Sequence, residues 1–318
     1  MFYNIFYIIL GIALVLLGAN YMTNGAGALA RRMNISELVI GLTIVAAGTS
    51  APELFISVLS AVKGTPDIAL GNVVGSNIFN TLLIVGCSAL VAPMAIAKSA
   101  VRIDIPVAVF ASVLLIVLCL DGFSSLSLSG KTLSRIDGII LLLVFAAYMA
   151  YILKTGKDNA ETGAQAIAEM SVLRSIVYVV LGLAWLIYGS NKFVDAASSL
   201  ASSLGVSDAV IGLTIVACGT SLPELATSVV AARKGQSAMA IGNVLGSNVF
   251  NILLIIGCTS AIAPMQIHGI TLVDMLTMGG SIMLLWLFSF TKYRVERWEG
   301  GVLCLAFAAY MAWLLANI

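Results

Sequence analysis

The sequence predicts an all-α membrane protein of ten transmembrane helices, built as two inverted five-helix repeats with broken helices at the midplane. Three observations carry this prediction. Of 318 residues, 60 % are apolar and 10 % charged, against about 25 % charged in ordinary soluble domains. The apolar residues fall into runs close to the ~20 residues that a helix needs to cross a hydrocarbon core of about 30 Å. Finally, part of the first half recurs in the second, 171 residues further on.

The expected spans are 5–24, 38–62, 68–91, 103–120, 136–154, 174–193, 209–232, 238–261, 272–291 and 299–317. Each is read as helix because lipid offers no partner to backbone N–H and C=O groups. A closed barrel would need short alternating strands instead of continuous runs. The first run lacks a basic n-region and a small-residue cleavage site, so it is read as a helix and not a signal peptide. The second and seventh runs each contain a Pro-Glu pair, and the third and eighth carry glycine, serine and asparagine; the remaining spans are plainly apolar. The polar stretch 155–173, too short for a folded domain, is read as a linker. The expected organisation is therefore 1–154, linker 155–173, and 174–318.

Ten spans put both termini on one side of the membrane. Twelve of the sixteen Lys and Arg residues then fall on one face, including Arg31, Arg32, Lys98, Arg102, Arg233 and Lys234; Lys63, Lys131, Arg135 and Lys192 fall on the other. The positive-inside rule makes the first face, with the linker, cytoplasmic and both termini extracytoplasmic. A net charge of +1 argues against a nucleic-acid partner. The five cysteines all lie in apolar runs, without disulfide-framework or zinc spacing, and are read as packing thiols. His268 is expected in an extracytoplasmic loop.

The repeat is concentrated in two motifs. Gly41-Leu42-Thr43-Ile44-Val45-Ala46-Ala47-Gly48-Thr49-Ser50-Ala51-Pro52-Glu53 returns as Gly212-Leu213-Thr214-Ile215-Val216-Ala217-Cys218-Gly219-Thr220-Ser221-Leu222-Pro223-Glu224, and Gly71 to Asn80 returns as Gly242 to Asn251. Residues 41–87 and 212–258 share 31 identities in 47 positions. Five spans per half make the second copy enter the membrane with opposite polarity, a design common in secondary transporters. The identities favour Gly, Thr, Ser, Pro, Glu and Asn, poor choices for a lipid-facing helix.

Glu53 and Glu224 lie near the middle of their runs and are read as the only two acids so deeply placed. A charge at that depth costs on the order of 3 kcal/mol on insertion scales, tolerable where it faces a bound cation, a proton or a water-filled cavity. Pro52 and Pro223 remove a donor and crowd the carbonyls four residues back, Gly48 and Gly219. Breaks are therefore expected there, freeing carbonyls around Ala46–Gly48 and Ala217–Gly219. With the hydroxyls of Thr49, Ser50, Thr220 and Ser221, these oxygens suit Ca²⁺ and Na⁺. Ser76 and Asn80 share a helix face, as do Ser247 and Asn251; all four add neutral oxygens. The small residues around Gly71 and Gly75 also suit a packing seam. The motifs assign no role to Asn77 and Asn248.

The doubled Gly-Thr-Ser-x-Pro-Glu and Gly-Asn-x-x-Gly-Ser-Asn motifs resemble the alpha-repeats of the cation/calcium exchanger superfamily, especially prokaryotic sodium/calcium exchangers. The resemblance spans the whole chain. It implies a mid-membrane cluster of cation sites held by Glu53, Glu224, Thr49, Thr220, Ser76, Ser247, Asn80 and the carbonyls of Ala46 and Ala217, with Ser50 and Ser221 close by. It also implies that the first and sixth helices slide across the others. Some members carry Asp at one of the positions matched by Asn80 and Asn251, linked to K⁺ dependence or proton occupancy; here both are Asn. The long cytosolic calcium-sensing loop of animal exchangers is missing.

The expected function is exchange of Ca²⁺ for Na⁺ in a prokaryotic inner membrane, by a chain that works as a monomer and needs no cofactor. Three rivals remain: a Ca²⁺/H⁺ or K⁺-linked exchanger using the same carboxylates, a cation channel, and an ion-binding sensor. Paired glutamates within inverted repeats favour transport over the last two.

Overall fold

The computed structural model describes residues 2–65, 67–120, 128, 130–155, 170–205, 217–267 and 269–317. The chain is all-helical. Among the described residues, eight helices are long and apolar enough to cross a membrane, and a bent pair makes a ninth span. The expected run 209–232 is described only from Ala217; residues 206–216, most of the linker (156–169) and His268 lie outside the described residues.

Two helices of 32 residues, α1 (Phe2–Met33) and α7 (Val172–Ser203), exceed the expected runs 5–24 and 174–193. At 1.5 Å per residue each is about 48 Å long, well past a bilayer core of about 30 Å. The C-terminal surplus in α1 is mostly small and buried: Gly25, Ala26, Gly27, Ala28, Leu29 and Ala30 pack inside the protein. An apolar-run criterion detects contact with lipid, so it stops where a helix goes on under protein cover.

α1 and α7 run antiparallel with their backbones nearly touching. A Cβ on Gly18 would sit 2.7 Å from Gly182 O, one on Gly11 2.8 Å from Gly189 O, and one on Gly25 2.7 Å from Ser175 O. The seven-residue spacing keeps this seam on one face of α1.

The second span is two helices, α2 (Glu37–Thr49) and α3 (Ala51–Val62), bent by 48°. The bend falls at Ser50, with φ −83° and ψ 4°. The second Pro-Glu segment repeats this arrangement in α8 (Ala217–Thr220) and α9 (Leu222–Arg233), with Ser221 at φ −92° and ψ 6°. The expected release of carbonyls is narrower than the sequence suggested. Ala46 O still accepts Ser50 N–H at 2.9 Å, because a proline at 52 removes only the donor that belonged to residue 48. Gly219 O, orphaned in the same way by Pro223, takes the Ser190 hydroxyl from α7 at 2.5 Å.

α4 (Ile68–Val91) and α10 (Ser237–Ile262) follow the breaks. Each contains a π-helical stretch, Phe79–Ile84 and Phe250–Ile256, a distortion common at functional sites. α10 is the most enclosed of the spanning helices; Gly242 lets it approach α2 so closely that a Cβ there would lie 2.5 Å from Leu38 O.

Four peripheral helices complete the bundle: α5 (Ala100–Leu120), α6 (Arg135–Thr155), α11 (Leu272–Ser289) and α12 (Arg297–Ala316). Two buried aspartates join them: Asp104 accepts from Tyr148 at 2.9 Å and Asp274 from Tyr310 at 2.8 Å. Asp104, Asp274 and Glu299 are thus buried like the motif glutamates, which corrects the expectation that only Glu53 and Glu224 lie deep. Asp274 and Glu299 sit in the first turns of their helices and Asp104 lies one turn into α5; each accepts a hydrogen bond from a tyrosine or a backbone N–H, while Glu299 Oε1 is left without a partner among the described residues.

Short strands also appear in the loops. β1 (Met94–Ala95) pairs antiparallel with β4 (Arg294–Val295), and β2 (Thr132–Leu133) with β3 (Met265–Gln266). They satisfy backbone groups that no helix covers.

The two halves meet the long helices differently. α9 packs along α1, whereas α3 and α7 barely touch. At the end of α9, Lys234 Nζ donates to Asn24 Oδ1 at 2.7 Å, Thr23 Oγ1 at 2.8 Å and Asn20 O at 3.2 Å. Lys63, which stands 171 residues earlier, is exposed.

Candidate ion-binding site

Glu53 and Glu224 are the third residues of α3 and α9, and each is 1 % exposed. The prolines set this position. Proline suits the first turn of a helix, where its missing N–H is not needed. The glutamate after it therefore lies in the same turn, at the positive end of the helix dipole.

Each carboxylate meets hydroxyls from the other half. Ser50 Oγ donates to Glu224 Oε1 at 3.1 Å, and Ser247 Oγ, from Glu224's own half, reaches the same oxygen at 3.5 Å. Thr49 also lies against Glu224, and Thr220 and Ser221 lie against Glu53. Ser221 Oγ donates to Ser76 Oγ at 3.4 Å. Of the residues expected from the sequence, Glu53, Glu224, Thr49, Ser50, Thr220, Ser221, Ser76 and Ser247 thus converge on one polar core. The Ala46 carbonyl is 3.4 Å from Thr49 Oγ1; Ala217 opens α8 at the matching place.

The asparagines form a second layer that crosses between halves. Asn80 Nδ2 donates to Asn248 Oδ1 at 3.2 Å, and Asn251 Nδ2 donates to Asn77 Oδ1 at 3.4 Å. Asn248 Nδ2 in turn donates to Thr81 Oγ1 at 2.8 Å, and Asn77 Nδ2 points at Met278 Sδ, 3.8 Å away.

Sequence reasoning missed a further brace. Asn243 Nδ2 donates to Ser228 Oγ at 2.9 Å, tying α10 to α9, while Asn72 Nδ2 reaches Ser57 Oγ at 3.5 Å, tying α4 to α3. The signal was present in the repeat: Ser57 and Ser228, like Asn72 and Asn243, are identical at the 171-residue offset.

Several acceptors in the site are left over. Five of its buried oxygens have no hydrogen-bond partner among the described residues: Oε1 and Oε2 of Glu53, Oε2 of Glu224, and Oδ1 of both Asn80 and Asn251. A buried acceptor without a donor costs about 1–3 kcal/mol, more when charged. Such a set is chemically suited to a hard cation. Among the described residues no group of three or more His, Cys, Asp or Glu side chains could hold a metal ion; the oxygens gathered here belong to two carboxylates and to neutral amides and hydroxyls.

Comparison with known proteins points to one transport family. A family profile described as "Sodium/calcium exchanger protein" matches residues 3–154 and 174–316. The chain is 37 % identical to a protein named "Putative antiporter CaxA" from Alkalimonas amylolytica, covering 98 % of both chains. It is 31 % identical to "Sodium/calcium exchanger MaX1" from Methanosarcina acetivorans, covering 97 % of both. Among solved structures it resembles the sodium-calcium exchanger NCX_Mj without Na⁺ and Ca²⁺, with a TM-score of 0.84 and 32 % identity over 98 % of this chain and 99 % of that one.

Proposed function

This chain belongs to the sodium/calcium exchanger protein family, an integral membrane transport family and not a family of enzymes, and from that premise we propose that it exchanges Ca²⁺ for Na⁺ at one shared site built on Glu53 and Glu224. The observation that carries the reading is the set of five buried, unpartnered oxygens. Ca²⁺ takes six to eight oxygens at about 2.3–2.6 Å. Two carboxylates, two amide oxygens and the surrounding hydroxyls of Thr49, Ser50, Ser76, Thr220, Ser221 and Ser247 supply that many, with the Ala46 and Ala217 carbonyls as further donors.

The exchange follows from charge. Two glutamates carry two negative charges, which one Ca²⁺ or several Na⁺ neutralise. Both cations need the same carboxylates, so full occupancy by both is unfavourable. An empty site leaves two bare anions in a low-dielectric core and resists passage between its two access states. Transport is thereby tied to a loaded site, which distinguishes an antiporter from a channel.

The reading includes ten helices in two inverted repeats. Its support is the crossing of equivalent residues: Asn80 meets Asn248, Asn251 meets Asn77, and Ser50 meets Glu224. Such crossings are natural when two copies face each other about an axis in the membrane plane. The basic residues favour both termini on the extracytoplasmic side.

The test is Ca²⁺ uptake into proteoliposomes loaded with Na⁺ and diluted into Na⁺-free buffer, with K⁺-loaded and pH-jump controls. Uptake that requires internal Na⁺ supports the proposal. Uptake driven only by the pH jump moves the coupling ion to H⁺, and uptake indifferent to any counter-ion describes a channel.

A further inference from the structure

Asn80 and Asn251 each face a choice that a carboxylate does not. An amide has one accepting arm and one donating arm, and only the accepting arm serves a cation. A buried asparagine presents its oxygen reliably when something behind it takes the N–H₂ group. Here that acceptor exists twice. Asn251 donates to Asn77 Oδ1 at 3.4 Å and Asn80 donates to Asn248 Oδ1 at 3.2 Å, while the Oδ1 atoms of Asn251 and Asn80 are left without partners among the described residues.

We propose that Asn77 and Asn248 are positioning residues that hold the amides of Asn251 and Asn80 with oxygen turned into the cation site. The proposal rests on the reading of Asn80 and Asn251 as cation ligands. The arrangement is reciprocal: Asn77 lies in α4 and orients a side chain of α10, and Asn248 in α10 orients one of α4. Each half of the molecule therefore sets a ligand of the other. Asn248 is itself fixed by donating to Thr81 at 2.8 Å, whereas the donating arm of Asn77 meets Met278 Sδ at 3.8 Å, so Asn248 is the more firmly held.

The experiment is a double-mutant comparison on the full chain, reading Ca²⁺ binding by calorimetry in detergent and the Ca²⁺ dependence of uptake in proteoliposomes. Asn77→Leu keeps a similar volume but removes the acceptor. It is expected to weaken Ca²⁺ binding by roughly 10- to 100-fold, as for other groups that orient metal ligands, with the maximal uptake rate much less affected. An aspartate presents oxygen whichever way it turns. In an Asn251→Asp background, Asn77→Leu is therefore expected to lose most of its effect. Asn248→Leu, compared with and without Asn80→Asp, repeats the test on the other side. Asn77→Asp and Asn248→Asp keep an acceptor in place and are expected to retain binding where the leucine variants lose it.

An equal loss from Asn77→Leu in both backgrounds would mean a packing role and overturn the proposal. So would unchanged affinity in the single leucine variants. Absence of Ca²⁺ binding by the unmodified protein would instead overturn the ligand reading beneath it, and the two failures are separated by that first measurement.

Discussion

Glu53 and Glu224 occupy equivalent positions but have unequal surroundings. Ser50 and Ser247 donate to Glu224 Oε1, while neither oxygen of Glu53 has a hydrogen-bond partner among the described residues. Glu53→Gln is expected to abolish Ca²⁺ uptake, since it removes a charge and puts N–H₂ where a cation needs oxygen; coupled exchange retained in that variant sinks the scheme. Ser50→Ala is expected to weaken Ca²⁺ dependence by roughly tenfold, because a hydrogen bond to a charged group contributes about 1.5–3 kcal/mol. Ser221→Ala should do less, as its hydroxyl is engaged with Ser76; Ca²⁺ titration of uptake compares the two. The glutamates and the Thr-Ser pairs were legible in the sequence because an acid beside a proline in an apolar run is costly unless a cation or a proton offsets its charge. Asn77 and Asn248 were not, because their partners lie in the opposite half and no spacing along one helix reveals a contact across two.

Among the helices, the seam between α1 and α7 is the most extensive close contact. Gly18→Leu would drive a Cβ to 2.7 Å from Gly182 O, and backbone cannot yield as a side chain can. A loss of about 1–3 kcal/mol or more is expected for such overpacking, visible as a lower melting temperature in detergent. The Lys234 tether has a pH signature. Burial pulls the Lys234 ammonium down to about 8 from an ordinary 10.5, so its three bonds to α1 do not fully offset desolvation. Between about pH 8 and 10.5 the unfolded chain then holds more proton than the native one, and stability rises with pH across that window. Wild type is expected to gain on Lys234→Met in melting temperature over that range, and a constant difference would contradict it. Nine of the ten expected runs are matched by spans among the described residues, but the true length of α1 was not readable from hydropathy: its last turns are sheltered by protein, and the side chains of Thr23 and Asn24 end the apolar run because they serve the Lys234 contact.

For the molecule as a whole, the inequality between halves is the informative feature. Lys234 grips α1, whereas its counterpart Lys63 is exposed and α3 barely meets α7. Under the proposed inverted-repeat mechanism one half rocks or gates against the other; if the halves trade roles as they do so, Lys63 approaches Asp195 of α7, the counterpart of Asn24. Cysteines at positions 63 and 195 are therefore expected to cross-link in a fraction of molecules that depends on Na⁺ and Ca²⁺, with exchange arrested once linked. No cross-link under any ion condition would contradict the trade. The glycine seam bears on the same question from a mechanical side. Two rods locked along their length behave as a single stiff beam, and a beam pushed at one end must yield at the other. On the proposed mechanism a seesaw of this kind has no posture in which both ends are raised, so the stiffness of the seam adds to the resistance of an empty ion site as a guard against short-circuit.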